Sequence, residues 1–294
     1  MDSKKVLRNI SRESDFFIGV DSDGCVFDTM EIKQKECFCP NFIRFFHLQT
    51  ISKYARETWE FVNLYSKTRG LNRFLALIET VKLLEERPEV KKRGAELPDL
   101  LPLLEWTKKE SKLSNLTLEE YATRVNNPLL DLTLRWSQKV NDDISNMVIG
   151  ISPFPYVKES LEKIVNTSDM IVVSQTPLEA LEREWEENKI DKFAKLIAGQ
   201  ELGTKTEHLK YAAKDKYEDD RIMMIGDAPG DLRAARDNGV LFFPVNPGHE
   251  EESWERFHNE GLNKFLNGKY KGDYERMLIE EFESYLPELP PWKK

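Results

Sequence analysis

Two short stretches of this 294-residue chain set acidic side chains beside glycine: Asp21-Ser22-Asp23-Gly24 and Gly226-Asp227-Ala228-Pro229-Gly230-Asp231. On an extended backbone, side chains two residues apart point the same way, so Asp21 and Asp23 can face one site. Each stretch alone has a plainer explanation: Asp and Gly form turns, and capping and the helix dipole favour an acid at a helix start. Those explanations do not cover four carboxylates gathered at one edge of a sheet. Two of them about 4 Å apart repel by roughly 4 kcal/mol at an effective dielectric near 20, so the cluster calls for a cation. Oxygen ligands without His or Cys favour Mg²⁺, whose binding is expected to stabilise the fold.

Such a site also needs groups that hold an anionic substrate. Ser174-Gln175-Thr176 ends an apolar run with hydroxyl and backbone donors, and Lys205 sits in Gly203-Thr204-Lys205-Thr206 at an expected helix start. By type alone Ser174 is a turn or cap residue and Lys205 a solvated lysine; position singles them out. Lys210 and Lys214 follow closely enough to stand as alternatives to Lys205. The basic stretch from Ser66 to Arg73 offers Arg69 and Arg73 as contacts for a second anionic group on the substrate. The bland reading of that stretch is a solvated turn between helices, rich in capping residues.

The elements that must position these residues are legible in the apolar pattern. Phe16 to Val20, Met170 to Val173 and Ile222 to Ile225 are short apolar runs, each followed by a small or acidic residue, as in strands buried on both faces. Further strands are expected at Ala194 to Ala198 and Val240 to Val245, with helices over Leu178 to Asn188, Thr206 to Lys214 and Gly230 to Asn238. The alternation predicts an α/β fold, a Rossmann-like doubly wound parallel sheet, which binds ligands beyond the carboxyl ends of its strands. Residues 30–150 instead show helical periodicity, as in Leu71, Phe74, Leu75, Ile78 and Val81, and Pro88, Pro98, Pro102 and Pro128 divide them into several helices. The expected organisation is a discontinuous α/β core of residues 1–29 and 151–294, with a mostly helical domain, 30–150, inserted after the first strand. The acidic tail beyond Asn246 spaces Trp254, Phe257 and Phe265 to lay helices on that core, and its Pro-rich end is expected to be loosely held.

In this order the motifs resemble those of the haloacid dehalogenase superfamily, which is dominated by phosphatases. They are D-x-D-G with a following Asp-Thr (Asp21 to Thr29), an apolar strand ending in Ser174, Lys205 after a further strand, and G-D-x-x-x-D (Gly226 to Asp231). The helical insert resembles that superfamily's class 1 cap. The resemblance implies that Asp21 attacks phosphorus to form an aspartyl-phosphate, and that Asp23 protonates the leaving group and then activates water. It also implies that Asp21, the carbonyl of Asp23 and Asp227 hold Mg²⁺, with Asp231 as a further ligand or the partner of one, while Ser174 and Lys205 grip the phosphoryl group. Asp23 argues against the dehalogenase and phosphonatase branches, which lack an acid at that place. A phosphatase remains the first expectation, and a mutase of the β-phosphoglucomutase type or a non-catalytic binding protein the alternatives. Cys25 stands where the family usually carries Thr, and a small change in packing of the turn is expected there.

Net charge is −9, which disfavours nucleic acid and anionic membrane surfaces as partners and leaves a small phosphorylated substrate as the expected one. No apolar run reaches membrane-spanning length and no secretion signal is evident, so a cytoplasmic protein, monomeric or homodimeric, is expected. Three cysteines without framework spacing predict free thiols, and the Cys37-x-Cys39 pair lacks the further ligands of a zinc site.

Overall fold

The computed structural model describes residues 3–293. The chain forms two compact units, one from the residues up to Met30 together with Gly150–Pro287, the other from Glu31–Ile149 together with the residues from Glu288 on.

The first unit is built on five parallel strands, β1 (Phe16–Val20), β2 (Ser168–Val173), β3 (Ile197–Ala198), β4 (Ile222–Gly226) and β5 (Leu241–Pro244), in the order β3-β2-β1-β4-β5. The α/β fold read from the apolar runs is the fold observed. Successive residues of each strand feed opposite faces, and both faces are buried. Phe17, Ile171, Val173 and Met224 enter one apolar cluster, under Leu209, Ala213, Leu232 and Ala235. Ile18, Val20, Val172 and Ile225 enter the other, under Leu161, Trp185 and, from the tail, Trp254, Phe257 and Phe265. Each such apolar side chain taken fully out of water contributes about 1.5–3 kcal/mol, so both layers and the tail are integral to the unit. Phe265 meets Phe16 edge-on at 5.1 Å, and the Tyr270 hydroxyl donates to the Phe242 carbonyl at 2.7 Å.

β3 is shorter than expected. Phe193 closes a tight turn, Asp191–Phe193, and although the Lys195 amide still donates to the Met170 carbonyl, regular pairing covers only two residues.

The second unit is helical, and prolines open its helices as much as they end them. Pro stands in the first turn of Pro88–Lys92, Leu101–Lys109 and Pro128–Met147, where its missing N–H costs nothing. The helix Arg73–Glu86 starts at Asn72, whose side chain accepts from the Phe74 amide, and buries Phe74, Leu77, Ile78, Val81 and Leu84. Leu71 lies exposed ahead of it. Around Trp59 gather Phe38, Phe42 and Trp136, with ring centroids 5.0–6.1 Å from its own. The Pro-rich chain end is more firmly held than expected: Trp292 packs edge-on against Phe61 and lies under the Arg87 guanidinium, 4.2 Å from its carbon. Among the described residues, no helix is long and apolar enough to cross a membrane.

Candidate active site

The Asp21 amide donates to the Ile225 carbonyl at 2.9 Å, which carries the β1–β4 ladder one residue past β1. The chain then folds back on itself. The amides of Cys25, Val26 and Phe27 converge on the Ser22 carbonyl at 3.2, 2.8 and 3.2 Å, and the Gly24 amide donates to the Phe27 carbonyl at 2.9 Å. Gly24 has φ 76°, a conformation that side chains with a Cβ rarely adopt, which accounts for Gly at this place in the motif. Two buried indoles brace the turn: Trp185 Nε1 donates to Ser22 Oγ at 3.0 Å and Trp254 Nε1 to the Cys25 carbonyl at 2.7 Å.

Beside it, β4 runs into the helix Pro229–Asn238 through Asp227 and Ala228. Asp231 Oδ2 accepts from the Ala228 amide at 3.0 Å, which folds the Asp231 side chain back over Gly226. A Cβ on Gly226 would lie 2.4 Å from the Asp231 Cβ, so this strand end has room for glycine alone. Lys205 is the first residue of the helix Lys205–Leu209, which Thr204 and Glu207 begin with a reciprocal capping box. Its Nζ lies 2.7 Å from Asp21 Oδ2 and 2.6 Å from Asp231 Oδ1.

Oxygens of Asp21, Asp227 and Asp231 lie within 4.8 Å of one another, and all three residues are buried. Burial raises the Asp21 pKa well above the usual carboxylate value; Lys205 opposes this, while Asp231 and Asp227 add to it. Lys205 shows the converse: burial alone would lower its pKa, but the same three carboxylates hold it above the ordinary lysine value. Three carboxylates against one ammonium leave the group rich in negative charge, and an all-oxygen donor set of this kind suits a hard divalent cation such as Mg²⁺. Those residues therefore fit the metal that the sequence led us to expect.

Asp23 is half-buried and engaged by two hydroxyls. Thr29 Oγ1 donates to its Oδ1 at 2.5 Å and Thr176 Oγ1 to its Oδ2 at 2.6 Å. Ser174 is buried at the end of β2, where its amide continues the pairing to the Ala198 carbonyl and its Oγ accepts from the Thr176 amide. Gln175 is exposed, and its amide nitrogen donates to the Ser174 and Gly203 carbonyls, so it ties two loops together rather than presenting its donor to a ligand. Of the three lysines the sequence left open, Lys205 reaches Asp21, whereas Lys214 pairs with Asp219 and Lys210 lies over the Tyr211 ring. The Cys25 thiol is fully buried with Sγ 3.8 Å from the Ile225 carbonyl; burial, reinforced by Asp227, Asp21 and Asp231, raises its pKa well above the usual thiol value and keeps it protonated. Cys37 and Cys39 are likewise free and buried.

In the helical unit, Arg69 and Arg73 have structural duties. Arg69 is buried and donates to the Leu64 carbonyl at 3.0 Å. Arg73 donates to the carbonyl and hydroxyl of Ser137 and to Asn141 Oδ1, and it lies over the Phe38 ring. Ser66, Thr68 and the Val62 carbonyl close the turn between them with hydrogen bonds of 2.6–3.3 Å. These contacts favour the bland reading of the stretch, and no substrate contact is carried forward for either arginine. Thr29, Thr176, Trp185 and Trp254 are the contributors that sequence reasoning did not place. Thr29 and Thr176 had a signal in their positions within the first two motifs, and Trp254 in its spacing on the tail expected to pack on the core; Trp185 had none.

A parallel α/β sheet with clustered carboxylates and a lysine beyond its strand ends is the arrangement that the motif order implies. Residues 103–245 match the family described as haloacid dehalogenase-like hydrolase, and the resemblance of this chain to that family is thereby borne out. The match takes in Ser174, Lys205, Asp227 and Asp231; it begins after Asp21 and Asp23 and ends before Trp254. Among solved structures, a haloacid dehalogenase-like hydrolase from Streptococcus pneumoniae is 13% identical over 83% of this chain and 91% of its own, with a TM-score of 0.45. A haloacid dehalogenase-like family hydrolase from Xanthomonas campestris is 9% identical over 90% of this chain and 98% of its own, with a TM-score of 0.45. No curated protein matches the chain.

Proposed function

We propose that this protein is a Mg²⁺-dependent hydrolase of a small phosphorylated metabolite that carries the phosphoryl group on Asp21 during turnover. The observation that carries this reading is Lys205, whose ammonium bridges Asp21 and Asp231 within the buried carboxylate cluster. Asp21, the Asp23 carbonyl, Asp227 and Asp231 would hold Mg²⁺, which offsets negative charge where phosphate and carboxylates meet.

An Asp21 carboxylate oxygen attacks phosphorus as the bond to the leaving oxygen breaks, and Asp23 supplies the proton that oxygen needs. Asp23 then takes a proton from water, the water oxygen bonds to phosphorus, and the Asp21–phosphorus bond breaks to release phosphate. The Lys205 ammonium and the Ser174 hydroxyl stabilise the charge on the phosphoryl oxygens in both steps. The helical residues 31–149 correspond to the insert that resembles a class 1 cap, and a cytoplasmic metabolite suits the acidic chain and its free thiols.

Wild type and Asp21→Asn are to be assayed on p-nitrophenyl phosphate and a panel of phosphorylated metabolites, with and without Mg²⁺. Mg²⁺-dependent phosphate release that Asp21→Asn reduces at least about 100-fold is the expected result. Equal activity in both proteins removes Asp21 as nucleophile. Transfer of the phosphoryl group to a second hydroxyl without phosphate release makes the protein a mutase, and inactivity on every phosphoester makes it a binding protein.

A further inference from the structure

We infer that Trp254, on the tail beyond the family match, is a positioning residue for the turn that carries Asp21 and Asp23. Its catalytic consequence rests on the function proposed above; its effect on the turn does not. The turn satisfies itself through the Ser22 carbonyl, which collects three amides, and through the Phe27 carbonyl, which takes the Gly24 amide. The Cys25 carbonyl is bonded from outside, by Trp254 Nε1 at 2.7 Å, and Ser22 Oγ by Trp185 Nε1 at 3.0 Å. The residues flanking Asp23 and Gly24 are thus each braced by an indole from another element.

Trp254 is fully buried and reaches the turn from the helix Glu250–Arg256. The Cys25 side chain offers only a thiol 3.8 Å from the Ile225 carbonyl, a weak donor at long range, so it adds little to the backbone bonds that fix this corner of the turn. A strong N–H donor on a rigid, fully packed side chain supplies what the thiol does not. Removing it leaves a buried carbonyl without that bond, and a shift of the turn misplaces the two carboxylates relative to each other.

The test compares Trp254→Phe, which keeps an aromatic ring but loses the N–H, with Phe257→Leu. Phe257 packs against Trp254 with centroids 5.7 Å apart, and its replacement removes apolar volume from the same cluster without removing a hydrogen-bond donor to the turn. At a temperature where circular dichroism reports both variants folded, Trp254→Phe is expected to lower kcat roughly 10- to 100-fold with little change in KM. Phe257→Leu is expected to keep wild-type kcat. Amide exchange is expected to quicken across residues 22–27 in Trp254→Phe while that of β2 stays as in wild type. Equal losses of kcat in the two variants, or unchanged exchange in the turn, overturn the inference. Should wild type prove inactive on all phosphoesters, the functional reading fails and exchange alone decides whether Trp254 holds the turn.

Discussion

Asp23 accepts two short hydroxyl hydrogen bonds, from Thr29 on Oδ1 and Thr176 on Oδ2, so under the proposed mechanism whichever oxygen carries the proton is left with one lone pair for its threonine and holds it more weakly. Thr176 is the freer candidate, being half-exposed where Thr29 is fully buried. Thr176→Val is therefore expected to lower kcat about tenfold, by loosening the orientation of Asp23, with Thr176→Ser near wild type; steady-state assays of both decide this. Lys205→Met removes the ammonium that separates Asp21 from Asp231. Breaking such a buried pair is expected to cost about 3–5 kcal/mol in urea denaturation without Mg²⁺, and much of that is expected to return when Mg²⁺ is added. The carboxylates were legible in the sequence because D-x-D-G and G-D-x-x-x-D are local patterns. The Thr176 contact was not, since it joins residues 153 positions apart and depends on how two strands pair. For Arg69 and Arg73 the sequence alone left two readings open, because a basic stretch in an acidic protein suggests an anion, yet guanidinium groups serve equally well to tie off buried carbonyls, as both do here.

At the scale of elements, the three long apolar strands were found within a residue or two of their ends, because strands buried on both faces leave continuous apolar runs. β3 was overestimated because the residues before Ile197 stay bonded to β2 through the Lys195 amide and the Leu196 carbonyl while the turn at Asp191–Phe193 keeps them out of regular strand pairing. The turn after β4 is set by a close approach that no pattern encodes. Gly226→Ala would drive a methyl group into the Asp231 side chain, so it is expected to displace that residue and abolish most of the thermal upshift with Mg²⁺, as read by scanning fluorimetry. β2 carries a second polar assembly at its other end. Asp169 is buried and accepts from the amides of Glu13 and Ser14, from the Tyr217 hydroxyl at 2.5 Å and from Lys195 at 2.6 Å. Burial would raise its pKa, but Lys195, Tyr217 and the two amides outweigh burial and hold it below the usual Asp value. Asp169 therefore stabilises the fold above the pKa of an unfolded Asp, and that stability is lost as pH falls through the lowered folded value. Asp169→Asn is expected to cost about 2–3 kcal/mol in urea at pH 7 and progressively less at pH values below the ordinary Asp range.

For the whole molecule, the most direct consequence of the carboxylate cluster is linkage. A cation that binds the folded site and not the unfolded chain stabilises by about 2.7 kcal/mol at a hundred times its Kd. Mg²⁺ is accordingly expected to raise Tm in wild type and to do so far less in Asp227→Asn. Chain order has a consequence of its own. β1 is the middle strand of the sheet, yet its neighbours pair with it through Ser168 and Ile222, half a chain later and more. During synthesis the helical segment Glu31–Ile149 is complete before either neighbour has left the ribosome. The Phe16–Val20 ribbon must therefore wait with both edges bare, an adhesive stretch in a nascent chain, and its closure between two late partners is expected to be the slow event of folding and the step most dependent on a chaperone.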